Sequence, residues 1–143
     1  MTNPITYNKI ISKFNRLDEY YKILQEIKKI NEKSFVNDFH FYGLAERYLQ
    51  LSIEIILDIG KLLINEKDLS RAESNQNIFD VLKDNHIISD KLHNQLFGVA
   101  NFRNILVHDY EKIDRKKIYH NLQNEIDQFI QFKKEIIKYL NKK

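Results

Sequence analysis

Residues 43–64 read GLAERYLQLSIEIILDIGKLLI, and this stretch decides the fold class. Apolar residues recur at every third or fourth position along one helical face, and others occupy the remaining faces. The first set contains Leu44, Tyr48, Leu51, Ile55, Ile59 and Leu62, and the second contains Leu49, Ile53, Ile56 and Leu63. We therefore expect a long helix, from about Asp38 to Glu66, that is central in the molecule or buried against a partner chain.

A second apolar stripe lies N-terminal to this central helix. Its members are spaced three or four residues apart, as one buried face of a helix requires, and they are Ile10, Phe14, Leu17, Tyr21, Leu24 and Ile27. The spacing predicts a helix from Thr6 to about Glu32. On the other side of the central helix, residues 67–77 are polar and lack an apolar period, which predicts the longest loop of the chain.

Three further helical segments are predicted after this loop. The first is a short helix over residues 78–83. Ser89 or Asp90 can cap a second helix that runs from Lys91 into the stretch at 101–110. Asp114 can cap a long final amphipathic helix, whose apolar positions are Ile118, Leu122, Ile126, Phe129 or Ile130, Ile136 or Ile137, and Leu140.

The composition agrees with an all-helical domain. Three Gly and one Pro among 143 residues are too few for the turns of a many-stranded sheet, and 43% hydrophobic content is enough for a core. We expect an all-α fold, an antiparallel bundle of four to five helices that forms one domain over residues 1–143. No Cys is present, which excludes disulfides and thiolate metal sites and favours a cytoplasmic location.

Neither export nor a membrane partner is expected. The N-terminus, MTNPITYNK, lacks a secretory signal, and no apolar run reaches the roughly 18 residues that a bilayer requires. The formal net charge of +3 is too mild to predict nucleic-acid binding from field strength alone. Basic residues cluster at 115–117 and at the C-terminus, and we assign both clusters to solubility.

The stretch at 101–110, NFRNILVHDY, brings three polar side chains together in an apolar helix. In an ideal helix Arg103 and His108 are about 140° apart, whereas Arg103 and Tyr110 nearly eclipse each other. Either the helix loosens after about Leu106, or another copy of the chain completes a site. A structural alternative is that these side chains cap carbonyls, complement the helix dipole and cover apolar surface.

The sequence RNILVHDY, residues 103–110, resembles the R-x4-H-x-Y signature of HepT-type toxins in the HEPN superfamily of helical ribonucleases. Asn104 matches the polar residue that is common after the Arg of this signature. Residues 43–64 and 77–114 resemble the long second helix and the downstream half of that family, and the segment that begins DRKKIYHNL is similar too. The resemblance covers nearly the whole chain except the N-terminal helix and the 67–77 loop.

This resemblance implies a metal-independent endoribonuclease without a cofactor, whose active site forms across a homodimer. The five His are scattered and lack the spacing of a metal site, which agrees with this expectation. RNA cleavage without a metal can use the 2′-OH of the substrate, with His108 as base or acid and Arg103 gripping the phosphate. Asn104 can hold the phosphate or fix His108, and a local backbone cap is an equal alternative.

In HepT-type systems, of type VII, an MntA-like nucleotidyltransferase antitoxin adds AMP to the motif Tyr, which implies modification of Tyr110. The alternative is a Tyr that packs with its hydroxyl at the rim. Glu46, Arg47 and Gln50 also match the family and can support the cleft or form salt bridges. The expected substrate is RNA, with tRNA and mRNA as candidates. The rival hypothesis is a non-catalytic helical module that docks onto a nucleotidyltransferase and binds nucleotide or RNA.

Overall fold

The computed structural model of the protein describes residues 2–69, 77–108 and 110–142. These residues form helices and connecting turns and contain no strand, so the predicted all-α fold class is confirmed. The elements in chain order are α1 (Pro4–Lys28), α2 (Glu32–Asn37), α3 (Phe39–Glu66), α4 (Ile78–Asp84), α5 (Asp90–Gln95), α6 (Val99–His108), a 3-10 turn (Tyr110–Lys112), α7 (Arg115–Asn124) and α8 (Asp127–Leu140).

Helix α3 is central, as its sequence predicts. It packs against α1, α2, α4, α6, α7 and α8, and its buried residues lie on several faces. Close packing depends on Gly60, because a Cβ atom there would lie 2.4 Å from Cγ2 of Ile78 on α4. Leu44, the first residue of the predicted apolar face, is 47% exposed, and Phe39, five residues earlier, is 64% exposed. The first turns of α3 therefore carry apolar side chains that the described part of the chain does not cover.

The predicted N-terminal helix ends earlier than its sequence pattern suggests. Helix α1 stops at Lys28, and α2 begins at Glu32 as a separate helix. The reason is Asn31, whose side chain accepts a hydrogen bond from the backbone N–H of Ser34 and so caps a new helix. The short α2 then places Phe35, which is fully buried, in the core.

The predicted helix from Lys91 into the 101–110 stretch is two helices. Ser89 caps the first of them, α5, since its hydroxyl accepts a hydrogen bond from the backbone N–H of Leu92 at 3.1 Å. The break lies at Gly98, whose φ of +85° is a left-handed conformation that an α-helix of L-residues does not continue through. A new helix, α6, therefore starts at Val99, and its side-chain faces do not continue those of α5.

The predicted final helix is also divided. Asp114 caps α7 as expected, since its carboxylate accepts from the backbone N–H groups of Lys116 and Lys117. Helix α7 then ends at Asn124 and α8 starts at Asp127, because Glu125 leaves the helical conformation with φ −122°. Among the described residues, no helix combines the length and apolar character needed to cross a membrane.

Candidate active site on helix α6

Helix α6 carries the motif residues and is fixed to the core by one face. Leu106 is 3% exposed, and α6 packs directly on the central helix α3. The helix remains α-helical as far as His108, and the 3-10 turn begins only at Tyr110. The expectation that the helix loosens after Leu106 is therefore wrong, and Arg103 and His108 leave the helix in different directions.

The guanidinium of Arg103 is held by a carboxylate of α3. Both Nε and Nη2 of Arg103 donate to Oε1 of Glu54, at 3.2 and 3.0 Å. The two side chains are only 24% and 30% exposed, so the ion pair is partly shielded from water. Charge-assisted hydrogen bonds of this kind fix the orientation of a guanidinium more firmly than a single contact would.

Two neighbouring amides complete this network. Gln50, one turn before Glu54 on α3, donates from Nε2 to the same Oε1 atom at 3.1 Å. Nη1 of Arg103 lies 3.4 Å from Oδ1 of Asn104, at the long end of the hydrogen-bond range. These contacts use one N–H of each terminal nitrogen, so within the described structure one N–H group on each is left to bind an anion.

Glu54 is a site residue that the sequence reasoning missed. The signal was present, because Glu54 is an acidic side chain within the apolar run SIEIIL of the central helix. A charged residue in such a run is expected to be paired. Its partner lies 49 residues away along the chain, so only the packing of α6 on α3 reveals the pair.

His108 occupies the end of α6 and is exposed to solvent. Within the part of the chain that the structure describes, its ring forms no hydrogen bond, and none joins it to Asn104 one turn earlier. An accessible imidazole without a protein partner is free to exchange protons with a bound substrate.

Tyr110 follows two residues after His108, and its backbone begins the 3-10 turn. The side chain of Tyr110, like Asp109, lies outside the described part of the structure. The role predicted for Tyr110 therefore stays a prediction.

Glu46, which also matches the resembling segment, lies in a different environment from Gln50. Burial raises the pKa of the Glu46 carboxyl, and the positive charge of Arg115 on α7 opposes this shift. Arg115 itself lies over the ring of Tyr42, 4.0 Å from its centre. These contacts join α3 to α7. Arg47 is exposed.

The described residues contain no group of three or more His, Cys, Asp or Glu side chains placed to hold a metal ion. The chemistry that they offer at α6 consists of an oriented guanidinium, an amide and an accessible imidazole. Such a set can bind a phosphate and move protons.

An all-helical domain with Arg103 and His108 on one helix packed against a long central helix is of the HEPN type. Residues 17–136 match the family described as ribonuclease HepT-like, and the chain belongs to this family. The resemblance seen in the 103–110 motif is thereby confirmed.

Relatives of known function share most of the chain length. The mRNA nuclease HepT of Shewanella oneidensis is 27% identical over 123 residues, which cover 86% of this chain and 92% of that protein. The tRNA nuclease HepT of Aphanizomenon flos-aquae is 23% identical over 131 residues, 92% of this chain and 89% of that protein.

Solved structures give the same fold. A tri-AMPylated Shewanella oneidensis HEPN toxin in complex with its MNT antitoxin matches with a TM-score of 0.81 and 26% identity, over 95% of this chain and 98% of that one. A toxin–antitoxin structure with AMP-PNP has a TM-score of 0.83 and 26% identity, over 90% and 97% of the two chains. The cytosolic protein YutE of Bacillus subtilis, at 22% identity and a TM-score of 0.81 over 94% and 90% of the chains, shares the fold.

Proposed function

We propose that this protein is a metal-independent endoribonuclease toxin whose reaction takes place at α6. The observation that carries the proposal is the guanidinium of Arg103, held by Glu54 with N–H groups left over, on the same helix as the accessible His108. The family description and the nuclease names of the relatives support RNA as the substrate.

The chemistry follows from the groups at hand. His108 accepts the proton of a ribose 2′-OH, and the 2′-oxygen attacks the adjacent phosphorus while the bond from phosphorus to the 5′-oxygen breaks. The leaving 5′-oxygen takes a proton from an acid, so the products are a 2′,3′-cyclic phosphate and a 5′-OH end. Arg103 binds two non-bridging oxygens and stabilises the charge that develops on them.

The proposed active form is a homodimer. Arg103 and His108 diverge on one α-helix, so a single chain does not direct both at one phosphate. A second copy related by a two-fold axis brings a second Arg103 and a second His108 to the same cleft. One imidazole then serves as the base and the other as the acid. The exposed side chains of Phe39 and Leu44 at the start of α3 offer apolar surface for such a contact.

The proposed control is modification of Tyr110 by a nucleotidyltransferase antitoxin. The Shewanella oneidensis HEPN toxin, 26% identical to this chain, is tri-AMPylated and bound to an MNT antitoxin, which supports this step. The tyrosine oxygen attacks the α-phosphate of ATP, the phenolic proton is lost, and pyrophosphate leaves. Each AMP unit adds a phosphodiester charge and nucleotide bulk two residues from His108, which would block access of RNA.

The test is cleavage of total RNA and tRNA in EDTA by the wild-type protein and by His108→Ala, with analysis of the fragment ends. His120→Ala is the matched control, because His120 is also exposed but lies on α7, where its nearest polar partner is Asn124. We expect cyclic phosphate ends from the wild type and the control, and none from His108→Ala. Intact RNA with unmodified wild-type protein would instead favour a non-catalytic module that binds a nucleotidyltransferase.

A further inference from the structure

A cavity of about 340 Å³ lies between α6, α7 and the turn that connects them. It is separate from the contacts of Arg103 with Glu54. Its lining includes Gly98, just before α6, and Asn101, Phe102 and Ile105, which share one face of α6. His108 is three residues beyond Ile105 and seven beyond Asn101, so it lies on this same face. The cavity therefore lies on the same side of α6 as the imidazole that moves protons in the proposed reaction, although His108 is not itself part of the lining.

One polar side chain of the cavity, Asn121, is nearly buried and has no hydrogen-bond partner within the described part of the chain. Asn121 of α7 lines the cavity and is only 7% exposed. Its side-chain amide makes no hydrogen bond with any residue in the described ranges. The amide is not among the fully buried side-chain atoms that lack a partner, so it is accessible from the cavity, where such a group usually binds water or a ligand. Asn121 therefore offers one acceptor and two N–H donors to an occupant of the cavity.

The rest of the lining defines the shape and charge of that occupant. Phe102, Ile105 and Ile118 give apolar walls, and Phe97 at the same site is 87% exposed. Lys112 and Lys117 are exposed and also line the cavity. The carboxylate of Asp114 is already used to cap α7. A fitting ligand has a flat apolar body, a hydrogen-bonding edge and a negative group at one end.

A nucleotide has all three features. Asparagine amides bind the donor and acceptor edge of a base, aromatic rings stack on its face, and lysines bind the adjoining phosphate. The cavity volume of about 340 Å³ is sufficient for one base and part of its sugar. Among the described lining residues, Glu125 at the end of α7 is the one further carboxylate.

We propose that this cavity binds one nucleobase of the RNA substrate, next to the bond that is cut, with the neighbouring phosphate at Lys112 and Lys117. The inference rests on the proposed ribonuclease function and adds a determinant of base specificity to it. Asn121 is then the residue that selects the base, and His108 acts on the adjoining nucleotide.

The first test measures binding without catalysis. The 3′-monophosphates of adenosine, guanosine, cytidine and uridine are titrated by NMR into the full-length wild-type protein, Asn121→Leu and Asn8→Leu. Leu keeps the branched shape of Asn121 and removes its donors and acceptor, while Asn8 is an exposed control on α1. We expect one base to be preferred and its affinity to fall about tenfold in Asn121→Leu alone. Equal affinities in wild type and Asn121→Leu would overturn the proposal.

A second pair of variants avoids any change inside the cavity. Lys117→Gln removes a lysine that lines the cavity, and Lys116→Gln removes its exposed neighbour, which does not. We expect Lys117→Gln to weaken binding of the preferred nucleotide several-fold and to leave binding of the matching nucleoside unchanged. If Lys116→Gln had the same effect, the phosphate would not be bound at this cavity.

The last experiment tests whether the base bound in the cavity belongs to RNA or to a free nucleotide. The cleavage sites of wild type and Asn121→Leu are mapped on the same RNA by sequencing of the fragment ends. We expect the base preference next to the cut to be lost in Asn121→Leu. Unchanged sites together with weakened mononucleotide binding would show a free-nucleotide site and refute the proposal. If the wild-type protein cut no RNA, the ribonuclease function would be refuted instead. The NMR binding experiment does not depend on that function.

Discussion

At the scale of single residues, the site combines one side chain that is held in place with one that is exposed to solvent. Arg103 is held in place by Glu54 and lies in a partly shielded position, whereas His108 is exposed and forms no hydrogen bond with the described residues. The cation is thus oriented before the substrate arrives, while the proton carrier is left to be positioned by the substrate or by a second chain.

Replacement of His108 by Ala should lower the rate of RNA cleavage by about two to four orders of magnitude, the usual effect of losing general acid–base catalysis. Single-turnover cleavage of one defined RNA measures this loss. RNA affinity, followed by filter binding, should change little because the side chain is exposed. A mutant with full activity would show that His108 has no role in the reaction.

Replacement of Arg103 by Ala should cost on the order of a hundredfold or more in kcat, because charge stabilisation in the transition state is lost. Arg103→Lys keeps the charge but not the planar fork of donors, so it should remain well below the wild type. Unchanged kinetics in Arg103→Lys would argue against recognition of two phosphate oxygens.

We expect Glu54 to be a positioning residue, acting through Arg103. Glu54→Gln keeps one acceptor oxygen and should lower kcat by about tenfold with little change in KM, since the guanidinium becomes misaligned. In the Arg103→Ala background the same substitution should have no further effect on kcat, because the two residues act as a unit. Additive losses in the double variant would show that Glu54 acts independently of Arg103.

At the scale of helices, one contact between α3 and α4 leaves no room for a methyl group. Gly60→Ala would place Cβ 2.4 Å from Cγ2 of Ile78, so α4 must shift, and we expect a loss of about 1–3 kcal/mol of stability. Gly43→Ala is the matched control on the same helix, because nothing lies within 4 Å of its Cβ position. That variant should be neutral or stabilised by up to about 1 kcal/mol in urea unfolding.

A second contact joins α1 to α8 and makes the stability of the protein depend on pH. The hydroxyl of Tyr21 on α1 donates to Asp127 at the start of α8, and this bond raises the pKa of Tyr21 to about 12. A raised folded-state pKa means that the stabilisation is complete below the unfolded value of 10.0 and is lost as the pH approaches 12. Tyr21→Phe should therefore cost about 1 kcal/mol at neutral pH.

The measurement is urea unfolding of wild type and Tyr21→Phe at several pH values. The difference between the two free energies of unfolding should shrink as the pH rises above 10, because the wild type loses the bond. A difference that stays constant to the alkaline limit would show that the hydroxyl contributes nothing through this bond.

The helices also show what sequence patterns can and cannot predict. The apolar stripes predicted where α1 and α3 lie in the chain, because burial of one helix face requires apolar residues every three or four positions. The breaks at Asn31, Gly98 and Glu125 were missed, since apolar spacing continues across them and only backbone conformation or a local cap separates the helices. The pair of Glu54 with Arg103 was missed for a related reason, as it depends on how two helices meet. Asn121 lay within a predicted helix, but only the packed structure shows that it lines a cavity and forms no side-chain hydrogen bond with the described residues.

At the scale of the whole molecule, the proposed dimer is open to direct measurement. Sedimentation velocity should give twice the chain mass of 17.3 kDa. Leu44→Glu and Phe39→Glu, which put charge on exposed apolar positions of α3, should produce monomers that fold but cut RNA poorly. Monomers with full activity would show that one chain suffices for catalysis.

The order of the helices has a consequence for the synthesis of the protein. Glu54, which orients Arg103, belongs to the central helix α3, and α8 closes the core by packing on α1 with Lys133 bound to Asp18 at 2.6 Å. Residues 103–108 precede α8 in the chain, so they leave the ribosome before it. A nascent chain that has already exposed them still lacks the contacts of α8 with the core. Under the proposed function, we expect a cell that translates this gene to meet a folded active site only after α8 has been synthesised.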